Sequence, residues 1–561
     1  MKDHFNAAVY LLDRQLARGM GHRPALISPR GTVTYAELAT DVARACAGWR
    51  ALGVRPEERV LIHAADSPEM VTGLLSLMRM GAVPVPVSTM STSTELAALI
   101  HDSRCRYVLA GPEFCHPLQQ ALTETPTFTD LQGVVVFHAA PLQPPSPVIR
   151  LRWEHLMRAG ETSSHSDQAA DHTTEDSPAL WLYTSGTTGT PKAAMHRHGS
   201  IRFVAEQYGQ EVLGLRPEDR CYSVAKLFFA YGIGNSCFFP LSVGAAAVLD
   251  PSPPTPQTIA RRLTDDAPTV FFGVPTSYAA LLREGSLPDS AFNGVRMAVS
   301  AGEPLPPELH MRFRARFGTE LLNAMGPTEA LHIFLANQPG ASRPGTLGMP
   351  VPGYELRIET EDGTEAESSQ PGVLKVKAPS AATGYWCRPD ATHAVFQAEW
   401  INTGDLFTRD EHGYYTCLGR AGDMIKSGGI WVTPSEVENR LLQHPDVAAA
   451  CVVPAPDADG LDRPVACVVP SGAGSVDADG LVAFCREALT SHKCPRHVLV
   501  YPDLPTTGTG KVNRRLVQQQ ALARLEDLGL TPRVPTQPAH LPADRVASAV
   551  PVPFMPPSGG N

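Results

Sequence analysis

ALWLYTSGTTGTPK, residues 179–192, joins a short apolar run to a loop of hydroxyls and glycines. ALWLY reads as a strand. After it, Thr184, Ser185, Thr187 and Thr188 place four hydroxyls within five positions, Gly186 and Gly189 remove bulk, and Lys192 ends the run with a cation. Such a loop offers donors from several directions, which suits a polyphosphate. A polar surface loop has the same composition. A Walker A motif is not present, because Thr190 and Pro191 separate Gly189 from Lys192 and alanine follows the lysine. An ordinary kinase or GTPase is therefore disfavoured.

Upstream, strand and helix signals alternate. Thr34 and Glu37 are spaced as a capping box before YAELATDVARACAGWRALG, and Asp66, Ser67 and Pro68 open SPEMVTGLLSLMRMG. The runs VLIHA, YVLAG, GVVVF, AAAVLD, TVFFGV and RMAVSAG are apolar strands between helices, which predicts parallel sheets covered on both faces. Residues 161–177 are polar and read as a mobile connector. Beyond about residue 350, YELRIET, EDGT, GVLKVKA and GYYTCLG predict a smaller β-rich subdomain. GRAGDMIKSGG, residues 419–429, reads as a hinge-like turn before an α+β unit. The fold class is thus α/β: a large N-terminal domain of parallel-type sheets flanked by helices plus a small β-rich subdomain, then a small mobile α+β C-terminal domain. The expected limits are 1–419, 420–525 and a Pro/Ala-rich disordered tail at 526–561.

Composition narrows the class. The net charge is −10 with no long basic block, so nucleic acid is not an expected partner. The 11 cysteines form no CxxC pair, which disfavours a zinc ribbon, and a disulfide framework is not suggested. The charged N-terminus lacks a signal-peptide core, and no apolar span reaches about 18 residues. A cytoplasmic protein, monomeric or homodimeric, without membrane association is the expectation.

Three further signals carry chemistry. NAMGPTEA, residues 323–330, ends a strand in a tight turn whose Glu329 could hold Mg²⁺ on nucleotide phosphates; an ordinary turn also fits. WINTGDLF puts Asp405 at a strand end, where a carboxylate takes both ribose hydroxyls. PTTGTGKVNR, residues 505–514, sets Lys511 beyond a glycine-rich turn, where a solvated lysine is the plainer reading. His196 and His198 read as helix-start residues.

In this order and spacing, the four signals resemble the adenylate-forming superfamily of acyl-CoA and aryl-CoA synthetases, luciferases and adenylation domains. The resemblance spans roughly residues 10–520. KLFFAYGIGNSCFFPLSVGA (226–245), SAGEPLP (300–306) and GPTEALHIFLAN (326–337) bring it nearest to benzoate-CoA ligases and their hydroxy- and aminobenzoate relatives.

The resemblance implies ATP and Mg²⁺ as cofactors, with coenzyme A as co-substrate. It implies that Thr184, Ser185, Gly186, Thr187, Thr188 and Gly189 wrap the β- and γ-phosphates near Lys192. Glu329 would hold the metal and Thr328 would sit near the α-phosphate. Gly302, Glu303, Pro304 and Met325 would line the adenine slot, and Asp405 and Arg420 would bind ribose. Lys511 would bridge the carboxylate and the α-phosphate. Ser427, Gly428 and Gly429 would edge a pantetheine tunnel. Phe229, Ala230, Tyr231, Phe239, His332 and Ile333 would enclose an aromatic carboxylic acid, with Tyr231 and His332 as polar handles for a ring substituent. The implied reaction is acyl-AMP formation with release of pyrophosphate, then transfer to CoA with release of AMP. Competing readings are an aryl-AMP ligase loading an acyl carrier protein, a catalytically silent nucleotide-binding protein and a phosphotransferase.

The chain departs from the family pattern at Met325, where an aromatic is usual, and at the hinge. There Gly422 replaces the usual pivot aspartate and only Asp423 remains. Glycine widens the accessible backbone conformations.

Overall fold

The computed structural model describes residues 4–124, 130–138, 142–144, 148–185, 191–427, 430–457, 461–472, 476–506 and 512–530. The expected tail from residue 531 onward lies outside these.

Two sheets form the large domain. The first has five parallel strands, ordered Val83–Pro86, Arg59–His63, Tyr107–Ala110, Gly133–Val136, Ile149–Arg152. All but the last are buried throughout, save for the partly exposed Arg59, which explains why they read as unbroken apolar runs rather than alternating ones. The second sheet has nine strands. Its central six are parallel, in the order Leu321–Met325, Met297–Ser300, Val270–Gly273, Arg220–Ser223, Ala246–Val248, Pro24–Ser28. Antiparallel strands cap both edges.

Helices cover the sheets where their start signals predict. Thr34 and Glu37 close a reciprocal capping box on Tyr35–Ala51, and the Ser67 side chain caps Pro68–Arg79. These helices pack on each other through fully buried Trp49, whose indole N–H donates to Ser76 Oγ at 3.2 Å.

The segment 161–177 is not a loose connector. It contains the helical turn His165–Gln168 and is fastened along its length. Arg79 Nε donates to the Gln168 carbonyl at 3.1 Å, Arg50 Nη1 to Ala169 O at 2.9 Å, and Asn6 Nδ2 to the buried Thr173 hydroxyl at 3.1 Å. Polar composition suggested mobility; arginines and an asparagine far away in sequence supply the partners.

The β-rich subdomain is an antiparallel sheet built on Glu355–Glu359, Gly372–Lys377, Trp400–Arg409 and Tyr415–Arg420. Next come the 3₁₀ turn Ala421–Asp423 and the hairpin Ile425–Ser427 with Ile430–Val432. The final unit is a three-stranded sheet, Val447–Pro456, Asp462–Pro470 and His497–Val500, packed by the helices Pro434–Leu441, Ala478–Arg486 and Arg514–Asp527. That last helix crosses the expected limit at 525, because buried Ala521 and Leu525 hold it to the sheet.

Among the described residues, five histidines are almost wholly buried. Burial holds His63, His198 and His310 near pKa 4, and His196 and His332 near 3. An unfolded imidazole takes its proton near 6.5. Between those values the unfolded chain binds more protons, so this part of the stability is complete above about pH 6.5 and drains away as pH falls. Burial raises Asp66 to about 6, which works in the opposite direction over part of the same window. Six histidines with lowered values, His497 among them, outweigh the raised aspartates Asp41, Asp66 and Asp266, so the melting temperature is expected to fall by several degrees between pH 7.5 and pH 5. Calorimetry showing a flat or rising melting temperature would contradict this.

Candidate active site

The glycine- and hydroxyl-rich loop connects two strands, Pro178–Ser185 and Pro191–Arg197, which pair antiparallel with Thr184 opposite Lys192. Gly186, Thr187, Thr188 and Gly189 lie outside the described residues, and of Ser185 only the backbone strand is described. The hairpin's base is well fixed. Tyr183 donates its hydroxyl to Asp102 Oδ2 at 2.7 Å, and Asp102 Oδ1 accepts from Arg388 Nη2 at 2.6 Å. His196 is a buried strand residue here and not a helix start, whereas His198 does begin the helix His198–Val204.

Glu329 sits in the 3₁₀ turn Thr328–Ala330, just past the strand Leu321–Met325. The turn is tight: a Cβ on Gly326 would lie 2.1 Å from the His332 carbonyl oxygen, so only glycine fits. Leu331 follows with a positive φ of 67°, a strained conformation for a branched residue. The Glu329 carbonyl accepts from Ala382 N at 2.8 Å. Its carboxylate accepts a hydrogen bond from the Tyr385 hydroxyl. The Lys192 ammonium lies 5.6 Å from the centre of that same tyrosine ring. The hairpin and the Glu329 turn therefore meet at Tyr385, a residue that sequence reading did not single out.

Gly302, Glu303 and Pro304 follow the strand Met297–Ser300, and Met325 ends its parallel neighbour. Gly302 turns with φ +89°, and the Glu303 carboxylate accepts from Thr276 N at 3.2 Å. These residues share the carboxyl ends of adjacent parallel strands, the usual ligand position in such sheets.

Asp405 is not at a strand end. It lies within the ten-residue strand Trp400–Arg409, directly across from Arg420. Gly404 (φ +69°) and a register shift after Leu406 bend the ladder there, and a Thr-Gly pair gives the same sequence signal as a terminal turn. Arg420 Nε reaches Asp405 Oδ1 at 3.0 Å, so the two proposed ribose contacts form one ion pair.

The acid-pocket residues come together. The rings of Phe239 and His332 meet edge-on at 4.5 Å, and Tyr231 lies 5.7 Å from His332. Ile333 is buried and Ala230 is partly so, while the Phe229 ring lies tilted against Phe228 with centroids 4.5 Å apart. Tyr208 is a further wall, 5.8 Å from both Phe239 and His332. It comes from the helical stretch Ala205–Val212, outside any motif. A Cβ on Gly234 would lie 2.3 Å from His332 Cδ2, so the glycine makes room for the imidazole.

One polar handle changes. The Tyr231 hydroxyl lies 3.3 Å from the Gly273 carbonyl and 3.2 Å from that of Val299, and so is committed to backbone. His332 remains available. Its Nε2 is 3.2 Å from Tyr231 O, its Nδ1 has no partner, and burial keeps it neutral. With Nε2 as donor, Nδ1 is an acceptor.

In the C-terminal unit, Ser427 is buried and accepts from Arg463 Nη1 at 3.3 Å. Gly428, Gly429 and Lys511 lie outside the described residues. Gly422 and Asp423 occupy the 3₁₀ turn Ala421–Asp423, and Asp423 pairs with Arg514 at 3.4 Å. Arg514 also donates to Glu438 at 2.7 Å and to Val452 O at 2.7 Å.

Among the described residues no group of three or more His, Cys, Asp or Glu could form a metal cage. A lone carboxylate fits Mg²⁺, which takes one or two protein carboxylates and completes its shell with water and substrate phosphates.

The strand hairpin meets the Glu329 turn, which follows the parallel strand Leu321–Met325, and the cluster of rings around His332 lies three residues beyond that carboxylate. The chain belongs to the AMP-binding enzyme family: that family's profile matches residues 12–386, and the profile of its C-terminal domain matches residues 436–511. It is 38% identical over 544 residues to the 4-hydroxybenzoate–CoA/benzoate–CoA ligase of Rhodopseudomonas palustris, covering 95% of this chain and 97% of that one. It superposes on a benzoate CoA ligase from Burkholderia xenovorans LB400 with a TM-score of 0.83 at 38% identity, over 91% of this chain and 99% of that one. It also superposes on the anthranilate CoA ligase AuaEII in complex with anthranoyl-AMP, with a TM-score of 0.86 at 31% identity, over 93% and 98% of the two chains. Among the described residues no helix is long and apolar enough to cross a membrane.

Proposed function

We propose that the chain is an ATP-dependent aryl-CoA ligase acting on benzoate or a small hydroxy- or aminobenzoate. One observation carries the reading. A single eight-residue stretch, GPTEALHI at 326–333, delivers both Glu329 and the pocket residues His332 and Ile333. Glu329 abuts the phosphate hairpin through Tyr385 and Lys192, while His332 faces three aromatic rings. An aromatic acid lodged against His332 then has its carboxylate close to a nucleotide held by the hairpin.

The chemistry needs this closeness because carboxylate and triphosphate repel. Mg²⁺, when bound at Glu329, neutralises phosphate charge as pyrophosphate departs. Lys192 and the loop hydroxyls steady the leaving phosphates, and Lys511 offsets charge where the acid oxygen meets the α-phosphorus. Met325, Gly302, Glu303 and Pro304 hold the base, and Asp405 with Arg420 the ribose. A thiol then attacks the acyl-AMP along the tunnel edged by Ser427, Gly428 and Gly429, and AMP leaves. We set the domain limit at 419/420, where the strand Tyr415–Arg420 ends at the hinge turn.

A screen of AMP release with CoA tests the proposal. Benzoate-sized aromatic acids are expected to exceed hexanoate in kcat/KM by about 100-fold, because the ring walls shorten the cavity. Preference for the fatty acid would contradict the pocket. Release of AMP with thioester formed only on a phosphopantetheinylated carrier protein, and none on CoA, would overturn the acceptor assignment.

A further inference from the structure

We propose that Tyr385 is a positioning residue for the metal carboxylate: its hydroxyl holds one oxygen of Glu329 while its ring keeps Lys192 apart from that carboxylate. The inference rests on the reading of Glu329 as the Mg²⁺ ligand and adds a residue to it.

The location is rigid. Residues 383–386 run beside the second hairpin strand, with Thr383 N donating to Met195 O at 2.8 Å, Met195 N to Gly384 O at 3.1 Å, and Trp386 N to Ala193 O at 3.0 Å. Tyr385 N donates to Thr392 Oγ1 at 3.0 Å, and its ring meets Phe396 edge-on at 5.4 Å. The side chain is buried against Ala194 and Ala382. Backbone and ring are therefore both fixed, and the hydroxyl can address only what the Glu329 turn presents.

What it presents is Glu329 Oε1. A carboxylate only accepts, so in this contact the phenol is the donor. Fixing one carboxylate oxygen orients the other, and outer contacts of this kind tune metal ligands.

The opposite charge is handled by the same ring. Lys192 lies 5.6 Å from its centre, and among the described residues Lys192 and Glu329 form no ion pair with each other. A direct pair would neutralise both groups and leave neither for a nucleotide. The ring's π face satisfies the ammonium weakly while its edge oxygen satisfies the carboxylate. Cation and anion meet different parts of one ring, each able to take up its part of a metal-bound triphosphate.

Tyr385→Phe removes the hydroxyl and keeps the ring. With the full chain, three readouts separate positioning from general damage. The Mg²⁺ concentration for half-maximal pyrophosphate release is expected to rise about 10-fold. Binding of Mn²⁺ in the presence of a non-hydrolysable ATP analogue, followed by electron paramagnetic resonance, should weaken to a similar extent. Thioester formation from preformed benzoyl-AMP should stay within about twofold of wild type, since that step makes no use of the metal carboxylate. Tyr385→His, which retains a ring donor, should recover part of the Mn²⁺ affinity. Unchanged Mg²⁺ and Mn²⁺ dependence in Tyr385→Phe would overturn the proposal. So would equal losses in both half-reactions with a lowered melting temperature, which marks a merely structural residue. Glu329→Gln run in parallel tells two failures apart. If it loses Mn²⁺ binding and Tyr385→Phe does not, only the tyrosine's role falls; if neither does, the metal-ligand reading falls too.

Discussion

Lys511→Ala is expected to slow formation of benzoyl-AMP by about 1,000-fold or more, while CoA thioester formation from added benzoyl-AMP stays within a few-fold of wild type. The first figure follows from removing a cation aimed at charge that develops only in the transition state. The second follows from the order of events: once pyrophosphate has left, the attacking group is a thiolate and needs no lysine at the α-phosphorus. The residues flanking Lys511 are suited to present it. Thr506 bridges Val512, and Asn513 N donates to Pro505 O at 2.8 Å, closing the base of the loop. Asn513 then caps the helix Arg514–Asp527 by accepting from Leu516 N. Arg514, three residues beyond the lysine, is paired with Asp423 in the 3₁₀ turn Ala421–Asp423. The helix that follows the lysine is thus paired with the 3₁₀ turn Ala421–Asp423, the turn proposed as the hinge, where Gly422 allows a wider range of backbone conformations than an aspartate. Pyrophosphate exchange and thioester formation, measured separately, check the prediction; equal loss in both would contradict the role given to Lys511.

Glu329→Gln carries the second large effect. The substitution keeps size and hydrogen-bonding shape but removes the charge, so Tyr385 still has an acceptor and the turn still folds. A neutral amide is a poor Mg²⁺ ligand. The expected result is a drop of about 100-fold or more in kcat/KM for ATP at 1 mM Mg²⁺, of the order seen when a transition-state contact is lost, with part of it restored by raising Mg²⁺. Binding of the aromatic acid should change little, because the carboxylate faces the hairpin and His332 faces the pocket. An unaltered Mg²⁺ profile would remove Glu329 from the metal site.

Much of this site could be read from single residues. Gly326 and Pro327 announce the turn, the 179–192 run announces the hairpin, and Thr34 with Glu37 announces a helix start, because each signal is local. Features made by distant partners could not be read that way. Tyr385 sits 56 residues from the carboxylate it holds, and nothing in GYW marks it as facing Glu329. Tyr208 joins the ring cluster around His332 only because the helix carrying it packs against Phe239. Asp405 looked terminal because Thr-Gly serves a bent strand as well as a turn. Tyr231 looked available because its backbone acceptors, Gly273 and Val299, come from two other strands. The segment 161–177 looked loose because its anchoring arginines belong to other helices.

The central claim is that this chain joins an aromatic acid to a nucleotide before any thiol takes part. A single-turnover reaction with enzyme in excess, ATP labelled at the α- and γ-positions, benzoate and no CoA tests it most directly. The account predicts benzoyl-AMP bound to the enzyme together with labelled pyrophosphate, and conversion to benzoyl-CoA and AMP once CoA is added. ADP with phosphate transferred from the γ-position, or no adenylate from any small aromatic acid, would contradict it.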